Sequence, residues 1–292
     1  MSAAFRRRAV LALPYAWLLL FFLAPFAIVL KISLAETAIG IPPYTPLFEA
    51  GEGGWQLAAS GDNYVRLVTD DLYALAYLNA IKFAAFSTLG CLLLGYPLAY
   101  GIVRAPRSWR GVLLLLVILP FWTSFLIRVY AWMGLLKGNG LINNTLMGLG
   151  LVHEPLTLLN NAFAVYVGII YSYLPFMVLP LYAQLEKLDP ALLEAAADLG
   201  CRPWQAFYRV TLRLSLPGIA AGALLVFIPA VGEFVIPDLL GGPNTLMIGK
   251  VLWDEFFANH DWPAASAVAI AVLVLLLVPM AYVRRMLQGE TA

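Results

Sequence analysis

Long apolar runs separated by short polar connections make up most of this chain. A helix needs about 20 mostly apolar residues to cross a bilayer, and about six runs meet that requirement. They are Val10–Ser33, Leu78–Val103, Gly111–Leu136, Ala162–Leu185, Pro217–Leu240 and Ala264–Val283. Prolines recur inside them, among them Pro14, Pro25, Pro97, Pro120, Pro175, Pro180, Pro229, Pro237 and Pro279. Spanning helices tolerate such breaks where neighbouring helices satisfy the freed backbone groups. The pattern therefore predicts an all-α integral membrane protein of kinked helices packed against protein. The first outer connection, about Ala35 to Tyr77, is the longest. It opens with an extended stretch, Ile41-Pro42-Pro43-Tyr44-Thr45-Pro46, is loosened by Gly51, Gly53 and Gly54, and ends in a short amphipathic helix from Asp62-Asn63-Tyr64. No separate soluble domain is expected, so residues 1–292 read as one transmembrane domain.

One polar, helix-prone segment lies between the fourth and fifth runs, spanning residues 186–215. Leu192 through Leu199 are good helix formers. Gly200 suits a left-handed helix stop, and Pro203 suits the first turn of a following helix. Two short helices joined at a glycine hinge are predicted, with Glu194, Ala195 and Ala196 suited to close packing in a partner's groove. By residue chemistry alone, an ordinary amphipathic helix at the membrane surface explains the segment equally.

Composition agrees with the pattern: 62% of the 292 residues are hydrophobic and 12% charged, against roughly 25% charged in soluble domains. Mean hydropathy is +0.83. The net charge of +1 says nothing about nucleic acid, but its distribution orients the chain. Lys and Arg collect in cytoplasmic loops of membrane proteins. Arg6, Arg7 and Arg8 precede the first run; Arg104, Arg107 and Arg110 fill the second connection; Lys187, Arg202, Arg209 and Arg213 fill the fourth; Arg284 and Arg285 follow the last. The other connections are acidic, with Glu36, Glu49, Glu52, Asp62, Asp70 and Asp71 in the first, Glu154 in the third, and Asp254, Glu255 and Asp261 in the fifth. Both termini and the Glu194 segment are thus expected in the cytoplasm. The first apolar run exceeds a signal-peptide core of roughly 7–15 residues and lacks a small-residue cleavage site, so it reads as an uncleaved span.

Little in the chain can do covalent chemistry. Cys91 and Cys201 have neither disulfide nor metal-site spacing, and His153 and His260 are isolated. A phosphate-binding loop would read G-x-x-x-x-G-K-[ST]. Gly249-Lys250 misses it, with Asn244 and Val251 at required positions. No zinc-protease helix or nucleophile elbow is present. The protein is expected to be no enzyme, to bind no cofactor or metal itself, and to draw energy from elsewhere.

Ionisable residues inside spans are functional candidates because an unpaired charge in lipid is costly. Glu233 lies inside the fifth run between Pro229 and Pro237, where two close prolines should break the helix; broken helices at mid-membrane commonly line substrate paths. It either lines a cation path or pairs with a base such as Arg128. Asp238, nearer the outer end, offers a second carboxylate for a polycation. Arg128 itself is expected to snorkel or pair with an acid. Trp122, Tyr130 and Trp132 either stack on ammonium groups or belong to an interfacial aromatic belt. Asp254, Glu255 and Asp261 with Trp253 and Trp262 read as a solvated acidic surface, or one that meets a binding protein or emerging substrate.

The spacing Glu194-Ala195-Ala196, three residues, Gly200 resembles the EAA loop of ABC-importer permeases. It continues to Val210 and Leu212, with Arg213 where proline is usual and Pro217 soon after. Further residues resemble the spermidine/putrescine (polyamine) family of these permeases: Asn63-Tyr64 with Asp71-Leu72-Tyr73; Leu119-Pro120-Phe121-Trp122-Thr123-Ser124; Arg128-Val129-Tyr130-Ala131-Trp132 with Leu141-Ile142-Asn143; and, most specifically, Gly232-Glu233-Phe234-Val235-Ile236-Pro237-Asp238-Leu239-Leu240-Gly241-Gly242-Pro243. The similarity is greatest to the putrescine system. The resemblance implies the six-helix type I importer fold with a cytoplasmic coupling helix in a bacterial inner membrane. It implies a second permease subunit, an ATPase homodimer that binds ATP and Mg, and a periplasmic polyamine-binding protein. Glu194, Ala195, Ala196, Gly200 and Arg202 would then couple to the ATPase, and Glu233, Asp238, Trp132 and Tyr130 would line the substrate path. The competing expectation is an ATP-independent carrier or channel for organic cations, which leaves the EAA-like segment unexplained.

Overall fold

A computed structural model describes residues 3–51 and 54–289. Side chains of Arg6, Arg7, Arg8, Glu49 and Arg284, and Glu52 altogether, lie outside the described residues, so their orienting charges are not placed. Among the described residues the regular structure is helical apart from one small hairpin and an isolated bridge between Thr37 and Tyr44. Four helices are long and apolar enough to span a membrane: Val10–Ser33, Asp71–Arg104, Ala162–Leu185 and Trp262–Tyr282. Two bent pairs raise the number to six if each pair is one span: Arg107–Trp122 with Phe125–Gly148, and Pro203–Leu214 with Leu216–Val231.

The third expected span, Gly111–Leu136, is corrected by this result. It is two helices meeting at 89° rather than one. Pro120 has no N–H to extend the ladder. Thr123 is extended at ψ 155°, and Ser124 at ψ 135°. The Thr123 hydroxyl donates to the Pro120 carbonyl at 2.7 Å, closing off the first helix. The fifth expected span, Pro217–Leu240, is also two pieces. Leu216–Val231 stops at Gly232, and Val235–Leu240 follows, a break that falls between Pro229 and Pro237 as the sequence predicts. Pro14, Pro97, Pro175, Pro180 and Pro279 leave their helices continuous, and Pro25 follows a π-helical turn, Leu19–Leu23.

Contacts divide the chain into two compact units. The first takes the chain up to Ala74 together with Val251–Leu275. Here the first connection carries an unforeseen antiparallel hairpin, Phe48–Gly51 with Gly54–Leu57, whose last pair is Gly51 with Gly54. The predicted amphipathic helix is Asp62–Thr69. Asn63 Nδ2 donates to the carbonyls of Ser33 and Ala35 at 3.1 and 2.9 Å, and the Tyr64 hydroxyl meets Ser33 Oγ at 2.7 Å. Two of the acids expected to be solvated are instead engaged. Glu255 is buried and accepts from the Tyr73 hydroxyl at 2.6 Å. Asp261 takes Thr37 Oγ1 at 2.7 Å and Arg66 at 3.2 Å, and Trp262 stacks on Phe256. Burial pulls the Arg66 guanidinium down, but Tyr73, Glu255 and Asp261 together hold it above its usual value.

The second unit takes Leu75–Lys250 and the chain after Leu276. Its core joins Cys91, Tyr96 and Ala99 to Met177, Val178, Leu181 and Val226. The helix Leu216–Val231 lies directly on Ala162–Leu185 because Gly218 and Gly222 present no side chain, a small-xxx-small spacing that lets backbones approach. A Cβ at Gly222 would lie 2.8 Å from Met177 Sδ and 3.2 Å from Met177 O. Gly222→Ile is expected to cost about 1–3 kcal/mol by overpacking, seen as a lower thermal midpoint of the detergent-purified protein; an unchanged midpoint contradicts the packing.

Candidate functional site

The polar segment folds as two helices with a sharp corner. Asp189 Oδ1 accepts from the Ala191 N–H at 3.0 Å and starts the helix Ala191–Asp198. Gly200 ends it at φ +79°. The Cys201 N–H bonds the Ala196 carbonyl at 3.0 Å, and the Gly200 N–H bonds that of Ala197 at 2.8 Å. These two bonds are the Schellman closure that a left-handed residue permits. The Arg202 N–H then donates to Gln205 Oε1 at 3.0 Å, and Pro203 opens the second helix. Glu194, Ala195 and Arg202 face solvent, whereas Ala196 is buried. Leu199, Trp204 and Tyr208 add an exposed apolar surface that the motif-based reading missed.

Proline is absent at Arg213, yet the corner beyond is present. Pro203–Leu214 and Leu216–Val231 meet at 61°. Ser215 makes the turn, with its Oγ on the Leu212 carbonyl at 2.9 Å and on the Tyr96 hydroxyl at 3.0 Å, and Pro217 begins the next helix. Behind the segment lies a cavity of about 370 Å³ whose walls include Arg104, Arg110, Glu186 and Leu193. Arg110 pairs with Glu186 at 3.5 Å.

The helix break holds Glu233, which is 6% exposed and lines a cavity of about 820 Å³. The carboxylate organises the break. Its Oε1 accepts the N–H groups of Val235 and Ile236 at 3.0 and 3.4 Å, satisfying two free donors at the start of Val235–Leu240. Its Oε2 accepts from the Tyr173 hydroxyl at 2.5 Å. Most of the remaining wall is aromatic and apolar, with Phe121, Phe125, Phe176, Phe234 and Leu225. Arg128 shares this wall. Its expected ion pair with Glu233 is not formed, and neither is snorkelling: Arg128 is 7% exposed, its Nε and Nη1 are buried without a hydrogen-bond partner among the described residues, and it lies over Phe121 and Phe125 at 5.4 and 5.6 Å.

The four substrate-path residues read from the sequence do not converge. Asp238 lies outside the Glu233 cavity, on a separate one of about 450 Å³, where Lys250 pairs with it at 3.1 Å. Trp132 meets the edge of Tyr171 at 5.4 Å, and Tyr130 is 55% exposed; neither lines the Glu233 cavity. Tyr173 was the missed partner. Its signal was present as Tyr171-Ser172-Tyr173, a polar stretch inside an apolar run.

Residues 8–289 match the family model described as binding-protein-dependent transport system inner membrane component. The chain is 40% identical over 270 residues to the spermidine/putrescine transport system permease protein PotB of Haemophilus influenzae, covering 92% of this chain and 90% of that one. It is 44% identical over 215 residues to the protein of the same name in Escherichia coli, covering 74% and 78%. Among solved structures, a bacterial alginate ABC transporter, crystallised in complex with an alginate pentasaccharide-bound periplasmic protein, aligns at TM-score 0.70 and 19% identity over 98% of this chain and 95% of that one.

Proposed function

We propose, because the chain belongs to the family of binding-protein-dependent transport system inner membrane components, that it is the permease subunit of an ATP-driven polyamine importer. The relatives named for spermidine and putrescine cover most of its length and support that substrate class. The chain works as half of a translocation path, beside a second permease subunit, above an ATPase dimer and below a periplasmic binding protein that delivers the polyamine. It crosses the inner membrane several times with both termini in the cytoplasm, as its Lys and Arg distribution indicates.

The observation that carries the substrate reading is the buried Glu233 carboxylate on the wall of a large aromatic cavity at a broken helix. A polyamine is a chain of ammonium groups and methylenes. The carboxylate attracts the first, the aromatic faces attract both, and the open break gives the chain a place to lie. Glu194, Ala195 and Gly200, with the exposed Leu199 and Trp204 beside them, form the surface that a separate ATPase grips. Closure of the ATPases on ATP moves this corner, the bundle opens outward, and hydrolysis with Mg in the ATPase returns it inward. Arg202 sits at the corner and contributes charge to that contact, and Ala196 holds the first helix to the protein from the inner side.

The test is reconstitution of the complete complex in liposomes with labelled putrescine and spermidine, arginine serving as competitor. Uptake that needs ATP, the binding protein and all subunits is expected. Polyamine flux through this chain alone, without ATP, would replace this reading by that of a secondary carrier.

A further inference from the structure

Arg128 presents a physical problem. Arg128 is 7% exposed, and its Nε and Nη1 are buried with no acceptor among the described residues. Burying a charge without a partner is unfavourable by several kcal/mol, so its presence at a cavity wall calls for a charge to balance. The acid lining the same cavity is Glu233. Tyr173 lines the same wall and donates its hydroxyl to Glu233. No Arg128–Glu233 ion pair is formed, because Glu233 is already held by Val235, Ile236 and Tyr173.

We propose that Arg128 is a tethered counter-cation: it offsets the Glu233 charge across the shared cavity and so keeps the cavity from holding a polycation tightly. This rests on the polyamine reading above. A transport cavity must bind its cargo well enough to admit it and weakly enough to release it. With Glu233 alone the wall carries one negative charge in a poorly hydrated, aromatic setting, where attraction to an ammonium group is strong. With Arg128 present the two charges cancel at a distance. An entering ammonium group meets attraction at Glu233 and repulsion at Arg128, so it settles along the wall rather than locking onto the acid. The Phe121 and Phe125 faces hold the guanidinium at that distance, leaving Arg128 a positioning and selectivity residue rather than a structural anchor.

The experiment uses the assembled complex in liposomes, and reads both polyamine retention by the resting complex and the kinetics of uptake. Arg128→Met keeps the packing on the phenyl rings and removes the charge. It is expected to raise retention of spermidine by about tenfold or more, the scale of one unit charge several ångströms away at an effective dielectric near 20. It should lower both the half-saturating concentration and the maximal rate. Arg128→Lys is expected to keep wild-type kinetics, since it keeps the charge. Arg128→Met combined with Glu233→Gln, which restores a neutral wall, should return retention to the wild-type level. Weaker retention in Arg128→Met overturns the proposal and assigns Arg128 to holding the shape of the cavity wall. Failure of both Arg128→Met and Arg128→Lys to assemble overturns it in favour of a structural role. Absence of polyamine uptake by the wild-type complex instead refutes the function assigned above, and is told apart because it precedes any substitution.

Discussion

Gly200→Val is expected to reduce ATP-driven uptake at least tenfold while leaving membrane insertion and the rest of the fold intact. The reason is the backbone at that residue. At φ +79° an L side chain costs roughly 1–2 kcal/mol, and a β-branched one is a worse fit still. No neighbouring atom lies within 4 Å of a Cβ built at Gly200, so the effect is one of backbone conformation and not of collision. Valine drives the chain towards negative φ. That opens the Cys201–Ala196 and Gly200–Ala197 closures and swings Ala191–Asp198 away from Pro203. The two short helices then lose the fixed angle that a rigid lever between ATPase and bundle needs. Gly200→Asn, which tolerates the left-handed region, should retain most uptake. The measurement is uptake and ATPase stimulation by loaded binding protein, side by side with the amount of complex assembled. Normal coupling in the valine variant would show that the corner transmits nothing.

Much of this molecule could be read from the chain because the bilayer and the glycine each impose a local rule. Six apolar runs follow from thickness alone, the Gly200 stop from its conformational freedom, and the break near Glu233 from two prolines. What escaped is of two kinds, local turns and faces on the one hand and pairings of residues far apart in sequence on the other. The third span bends where Pro120 lacks an N–H and Thr123 and Ser124 turn extended, with the Thr123 hydroxyl on the Pro120 carbonyl. The hairpin at Phe48–Leu57 alternates over only three residues a strand, Phe48-Glu49-Ala50 and Trp55-Gln56-Leu57, and lacks a familiar turn pair. Ala196 turns inward because the helix packs on that face, which a motif of small residues does not state. Asp238 reads from the sequence as a second carboxylate for a polycation; its pairing with Lys250 exists only in three dimensions. Arg128 and Tyr173 join Glu233 from separate helices, and neither the spacing nor the composition of the apolar runs brings them together.

Glu233→Gln is expected to cut polyamine uptake by about tenfold or more, the effect of removing one charge from a low-dielectric wall, with assembly unchanged. The substitution is nearly isosteric. The glutamine carbonyl can still accept the N–H groups of Val235 and Ile236, so the start of Val235–Leu240 stays capped, and only the charge and the acceptor for Tyr173 are lost. A capping acceptor is worth about 1 kcal/mol, so Glu233→Ala removes both roles at once and should also lower the thermal midpoint of the purified protein. Tyr173→Phe completes the set: it keeps the charge and both backbone bonds, and loses one hydrogen bond, so its uptake should fall far less than that of Glu233→Gln. The order Tyr173→Phe, Glu233→Gln, Glu233→Ala in increasing loss assigns the carboxylate charge to the cargo and its geometry to the helix break. If Glu233→Gln transports as well as the wild type while Glu233→Ala does not, the acid serves only to cap the broken helix, and the attraction for ammonium groups must come from the aromatic wall.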